Sequence, residues 1–265
     1  MRPDYAVMDP TGNVTILVKA PTPAPEQPAL AAALLKAEPA AEQVGFLSPG
    51  GGGGAALSLR MAGGEFCGNA AMSAAALYCM ERGLRDARVS VRVSGAAEPV
   101  GVQAAALPGG AYACAVDMPR PKSVEMTELS LDGREYALPL VRFDGICHLI
   151  LPGGFDRGAA ERAAKRWCAE LGAAALGLML LDAPNGRMTP LVCVPGGDTL
   201  YWERSCASGT AAAGAYMAWK TGAAAELALE QPGGILRVEA APVGRIALRG
   251  AVRLLHVGEI PPKTL

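Results

Sequence analysis

Histidine is scarce in this chain, which has only His148 and His256. That leaves little from which to build a catalytic metal centre, since such centres draw heavily on imidazole. The seven cysteines are odd in number and contain no Cys-x-x-Cys spacing, so neither a disulfide framework nor a zinc site is suggested. Charged residues make up 18% and balance to a formal net charge of -1, with no basic run. This excludes an electrostatic case for nucleic acid or an anionic membrane as partner. No GxGxxG follows a strand and no P-loop is present. The most apolar stretches, such as Ile146–Pro152 and Leu176–Leu181, are too short to span a bilayer. The opening MRPDYAVMDP lacks the apolar core of a signal peptide, so a cytoplasmic location is expected.

What is present suits a compact globule: 265 residues, 51% of them hydrophobic. Strands are expected at Val14–Lys19, Ala56–Met61, Val89–Val93 and Tyr112–Met118, from β-branched content and alternation. Further strands are expected near Tyr136–Phe143, Ile146–Leu151, Gly177–Leu181 and Leu191–Val194. Helices are expected near Ala29–Lys36, over Arg157–Leu171 and after Cys67 and Cys206. Gly50–Gly54 reads as a flexible loop. Pro119 and Pro121 break the chain, which places a boundary between residues 1–117 and 118–265. The last ~15 residues are expected to pack back on the first half in such an arrangement.

An approximate repeat lies inside this plan. Glu65-Phe66-Cys67-Gly68-Asn69-Ala70-Ala71 opens an Ala-rich helix running to about Arg82, and Arg204-Ser205-Cys206-Ala207-Ser208-Gly209-Thr210 opens another running to about Lys220. The expected fold is therefore α+β, with two pseudo-symmetric halves, strands wrapped around a central helix in each, and an active site in the cleft between them.

A cysteine at a helix start lies in the field of the helix dipole, which is expected to lower its thiol pKa from about 8.5. The first N–H groups of the helix can receive a carboxylate and stabilise charge that spreads onto it. Two such helices could serve an amino acid's α-carbon: one sulfur takes the α-proton as thiolate, and the other delivers a proton to the opposite face as thiol. Inversion of this kind needs no pyridoxal phosphate, and no lysine here sits in a Schiff-base context, so no cofactor and no metal are expected. The other five cysteines, Cys79, Cys114, Cys147, Cys168 and Cys193, lie in apolar or strand-like surroundings and read as small buried hydrophobes. His148 reads as a hydrogen-bonded core or pocket-wall histidine, and Trp202 and Trp219 as packing residues.

The boxes resemble those of the diaminopimelate epimerase family, in which a Cys-Gly-Asn box and a later Cys-small-Ser/Thr-Gly box supply two bases. Asp9-Pro10-Thr11-Gly12-Asn13, placed before the first strand, looks like that family's N-terminal Gly-Asn element. Glu42-Gln43, Glu203-Arg204 and Gln231-Pro232-Gly233-Gly234 match others of its elements. Closer still is the similarity to the histidine racemases of staphylopine-type metallophore biosynthesis, carried by PTGNVTILV, EQVGFL, GEFCGNAAMS, VSG, WERSCASGTA and QPGG. The resemblance implies an isomerase acting on a small-molecule amino acid, with Cys67 and Cys206 as the acid/base pair. It implies that Asn13, Gly68, Asn69, Ser208, Gly209 and Thr210 bind the amino and carboxylate groups, and that Gln43 and Glu203 shape the pocket. Ile146 and Leu178–Leu181 are apolar where diaminopimelate epimerases offer asparagines. A distal zwitterion there would lose roughly 1–3 kcal/mol per unsatisfied group. Arg204 stands where the histidine racemases have asparagine. Three readings remain open at this point: a histidine racemase, a racemase or epimerase of diaminopimelate or a proline-type ring, and a silent amino-acid-binding protein. A homodimer is also left open.

Overall fold

The structure is a computed structural model that describes residues 3–50, 54–195 and 199–260. The loop expected at Gly50–Gly54 lies largely outside the described residues. The chain divides into two compact units, Met1–Asp117 with Arg249–Leu265, and Met118–Leu248.

In the first unit, seven strands follow one another: β1 (Tyr5–Pro10), β2 (Thr15–Val18), β3 (Gln43–Pro49), β4 (Leu57–Met61), β5 (Asp86–Val93), β6 (Val100–Ala106) and β7 (Tyr112–Met118). They lie side by side in that order, and the long last strand β16 (Ile246–Gly258) pairs with β7. β16 also pairs antiparallel with β1, from Tyr5 opposite Gly258 to Pro10 opposite Val252, which closes the strands into a barrel. Helix α2 (Gly68–Arg82) packs against β1, β2, β4, β5 and β6. Its sequence explains how a helix fits there: Ala70, Ala71, Ala74, Ala75 and Ala76 are all fully buried, and small side chains let the strands approach from every side. The helix stops at Gly83, which takes the left-handed conformation. Helix α1 (Gln27–Ala37) covers an outer face through Leu30, Ala31 and Leu34, which join Val7, Ile16, Val18 and Val44 in one apolar cluster.

The second unit contains β8 (Ser123–Leu131), β9 (Arg134–Arg142), β10 (Cys147–Pro152), β11 (Leu176–Asp182), β12 (Arg187–Val194), β13 (Thr199–Trp202), β14 (Ala225–Gln231) and β15 (Gly234–Ala240). Their lateral order is β8-β9-β10-β11-β12-β14-β15, followed by the start of β16, with β13 on β12. Helix α4 (Ala207–Thr221) packs against β8 to β11, β14 and β15. Ala211, Ala212, Ala213 and Gly214 form its buried middle. A Cβ on Gly214 would stand 2.8 Å from a Val238 methyl, so the close approach of helix and strand requires glycine there. Helix α3 (Arg157–Glu170) covers the other face, with the fully buried Trp167 among Leu149, Leu178 and Leu180.

One expectation needs correction: the Asp9–Asn13 element does not precede the first strand. It is the turn between β1 and β2, because Tyr5–Pro10 is itself a buried strand. Among the described residues, no helix is long and apolar enough to cross a membrane, and no group of His, Cys, Asp and Glu could hold a metal ion.

Candidate active site

Each central helix begins on a cysteine. Cys67 is the N-cap of α2 with extended backbone (φ -130°, ψ 112°), and the Ala70 N–H donates to its Sγ at 3.4 Å. The thiol donates to Gln43 Oε1 at 3.3 Å. Gln43 is fixed in turn, its amide nitrogen donating to Asn13 Oδ1 at 2.6 Å and to Thr15 Oγ1 at 2.8 Å. Asn69 Nδ2 donates to the same Asn13 oxygen at 3.2 Å, and Asn13 Nδ2 donates to the Glu42 carboxylate. Asn13 is thus a buried hub joining β2, β3 and the first turn of α2. The β1–β2 turn delivers it there: Thr11 and Gly12 both have positive φ, and the Gly12 N–H donates to the Asp9 carboxylate. Asp9 itself is gripped by Arg253, at 3.0 and 2.7 Å.

The Val93-Ser94-Gly95 segment also has a physical role here. Ser94 Oγ donates to Glu65 O at 2.9 Å, and a Cβ on Gly95 would lie 2.4 Å from Phe66 N. The loop entering Cys67 therefore rests on a position that only glycine can fill.

Cys206 is the N-cap of α4 with nearly the same backbone (φ -126°, ψ 110°), and the Gly209 N–H donates to its Sγ at 3.3 Å. Ser208 Oγ lies 3.5 Å from the same sulfur. A Cβ on Gly209 would fall 2.0 Å from Met179 Sδ and 3.2 Å from Cys206 Sγ, so a side chain there would displace the methionine and crowd the cysteine. Cys206 is 5% exposed. Its backbone N–H donates to Gln231 Oε1 at 2.9 Å, and its carbonyl accepts from Thr210 Oγ1 at 2.7 Å. Burial pushes the Cys206 thiol well above its ordinary value, and the neighbouring Glu203 carboxylate, which it also hydrogen-bonds, pushes it the same way. The hydrogen bonds from Gly209 and Ser208 pull it down, but less. The expected lowering by the helix start is therefore outweighed at Cys206 by desolvation and by a carboxylate.

A family model described as the histidine racemase CntK N-terminal domain matches residues 3–260. The chain belongs to the histidine racemase family. A histidine racemase of Fusobacterium nucleatum is 32% identical over 222 residues, 81% of this chain and 81% of that one. A histidine racemase of Staphylococcus aureus is 29% identical over 242 residues, 89% of this chain and 87% of that one. In fold the chain is similar to a probable proline racemase from Agrobacterium radiobacter, with a TM-score of 0.70 at 14% identity, covering 97% of this chain and 92% of the other. The protein is accordingly an amino-acid racemase, an isomerase.

Within this family reading, the expected site residues fall into two groups. Asn13, Gln43, Gly68 and Asn69 gather around Cys67, and Glu203, Ser208, Gly209 and Thr210 around Cys206. Thr210 is fully buried, and its hydroxyl serves the Cys206 backbone. Sequence reasoning named Gln231 only as part of a family turn and missed its contact with Cys206, because a buried amide at a strand end carries no local signal. His148 is fully buried, as a core histidine should be, yet neither ring nitrogen has a hydrogen-bond partner among the described residues. Its ring stands edge-on to Phe143 and over Gly177, and burial lowers its pKa to about 3. Arg204 is exposed. The other five cysteines are free and buried, in keeping with a packing role.

Proposed function

We propose that this chain racemises histidine by a two-base mechanism, with Cys67 and Cys206 as the acid/base pair and no cofactor. One cysteine, as thiolate, removes the α-proton, and its sulfur becomes a thiol. The other, as thiol, gives its proton to the opposite face of the α-carbon and becomes the thiolate. The chemistry requires one sulfur on each face of that carbon. Backbone N–H groups at Gly68 and Asn69, and at Ala207 and Ser208, would receive the carboxylate and stabilise the charge that moves onto it when the proton leaves. The polar side chains around each sulfur complete the binding set, with Asn13 and Gln43 on one side and Glu203 and Ser208 on the other. Histidine is chosen over other amino acids because the relatives named above are histidine racemases.

The observation that carries this reading is the repeated geometry of a cysteine outside any disulfide, N-capping a buried helix and receiving the third residue's N–H on its sulfur. A structural cysteine needs no such placement twice.

The test is incubation of reduced protein with L-histidine in deuterium oxide, without added cofactor or metal. Loss of the α-proton signal and appearance of the D-isomer are the expected results. Cys67→Ser and Cys206→Ser should each lower turnover by about 10³-fold. Turnover of a different amino acid alone would overturn the substrate, and near-normal turnover in either variant would overturn the mechanism.

A further inference from the structure

Gln231 ends β14, 25 residues from Cys206 in sequence, yet its side chain closes a ring around the Cys206 peptide. The Cys206 N–H donates to Gln231 Oε1 at 2.9 Å, and Gln231 Nε2 donates to Thr210 Oγ1 at 2.9 Å. The Thr210 hydroxyl then donates to the Cys206 carbonyl at 2.7 Å, returning to the residue where the ring began. All three residues are buried. The turn that follows Gln231 adds a second hold, since the Gly233 N–H donates to Arg204 O at 2.7 Å. The Gln-Pro-Gly-Gly hairpin thus grips the chain on both sides of Ser205.

We infer that Gln231, through Thr210, is a positioning residue for Cys206. The N-cap conformation of Cys206 is extended while the next residue is helical, and the ring binds both polar groups of the cysteine's backbone at that junction. With N–H and C=O both fixed, the Cα–Cβ bond points one way and the sulfur keeps its contact with the Gly209 N–H. Proton transfer is sensitive to this, because a misplacement of about 1 Å can cost about 10²-fold in rate. The inference rests on Cys206 being one of the two bases.

Gln231→Leu and Thr210→Val are each expected to lower kcat by about 10- to 100-fold with KM little changed. The double variant should be no worse than the poorer single one, because either change opens the same ring. Thr210→Ser keeps the hydroxyl and should restore turnover, and this pair carries the test should Gln231→Leu fail to fold. Peptide mapping of iodoacetamide labelling supplies a readout independent of racemisation: the labelling rate at Cys206 should change while that at Cys67 does not. Multiplying effects in the double variant, failure of Thr210→Ser to rescue, or parallel changes at both cysteines would each overturn the inference. Near-normal turnover of Cys206→Ser would defeat the two-base reading, while the labelling would still report whether the ring orients the thiol.

Discussion

The two cysteine boxes share a backbone and differ in what holds them. At Cys67 the surrounding polar groups act on the sulfur, with Gln43 accepting from the thiol and Asn13 fixing Gln43. At Cys206 the corresponding amide, Gln231, acts on the peptide and leaves the sulfur to Gly209, Ser208 and Glu203. The same N-cap conformation is thus reached by two routes, one through the side chain and one through the main chain. A residue's importance to the site therefore cannot be judged by its distance from sulfur alone. A buried amide holding the backbone can matter as much as one touching the thiol.

The sharpest way to strain this comparison is to remove the hub of the first box. Asn13 accepts from Gln43 and Asn69 and donates to Glu42, all from one buried side chain. Asn13→Ala is expected to lower turnover by about 10²-fold, since it frees the amide that orients the Cys67 thiol. It should also destabilise the protein by about 2–3 kcal/mol, because buried polar partners are left without their bonds. Steady-state kinetics and a urea titration measure the two effects. A loss of stability with unchanged turnover would mean that the first box, unlike the second, tolerates a loosened sulfur.

Much of this was legible in the sequence, for identifiable reasons. Both cysteine helices announce themselves through an N-cap followed by an Ala-rich run without strong breakers, and strand β7 through a clean alternation ended by prolines. Strand β1 was missed because all six of its residues are buried, so it shows no alternation. The barrel closure by β16 is a pairing across more than 240 residues, which no local pattern encodes. The direction of the Cys206 shift was misread for a related reason. A helix start is visible in sequence, but the depth of burial that outweighs it is not.

The two units also differ in their titratable interiors. His256 lies at the surface beside Glu38, whereas His148 is fully buried in the second unit. In the unfolded chain an imidazole takes its proton near pH 6.5, but the folded protein resists protonation down to about 3. Between these values the unfolded state binds more protons. Stability that is complete above about pH 6.5 is therefore lost as pH falls, by about 1.4 kcal/mol per unit. All three tryptophans, Trp167, Trp202 and Trp219, belong to the second unit, so their fluorescence reports on it alone. The unfolding free energy read this way should fall by about 2 kcal/mol between pH 6.5 and 5, and His148→Leu should remove most of that slope. An unchanged slope in the variant would place the acid sensitivity elsewhere.

The smallest effect concerns charge on one sulfur. Burial is the main cause of the raised Cys206 pKa and Glu203 the next, so Glu203→Gln should leave the thiol buried but easier to ionise. Iodoacetamide labelling of Cys206 should then follow a profile displaced to lower pH, while the Cys67 profile stays in place. A profile that did not move would mean that desolvation alone sets the Cys206 thiol. A displaced one would show that the Glu203 carboxylate, and not burial alone, keeps the Cys206 thiol protonated.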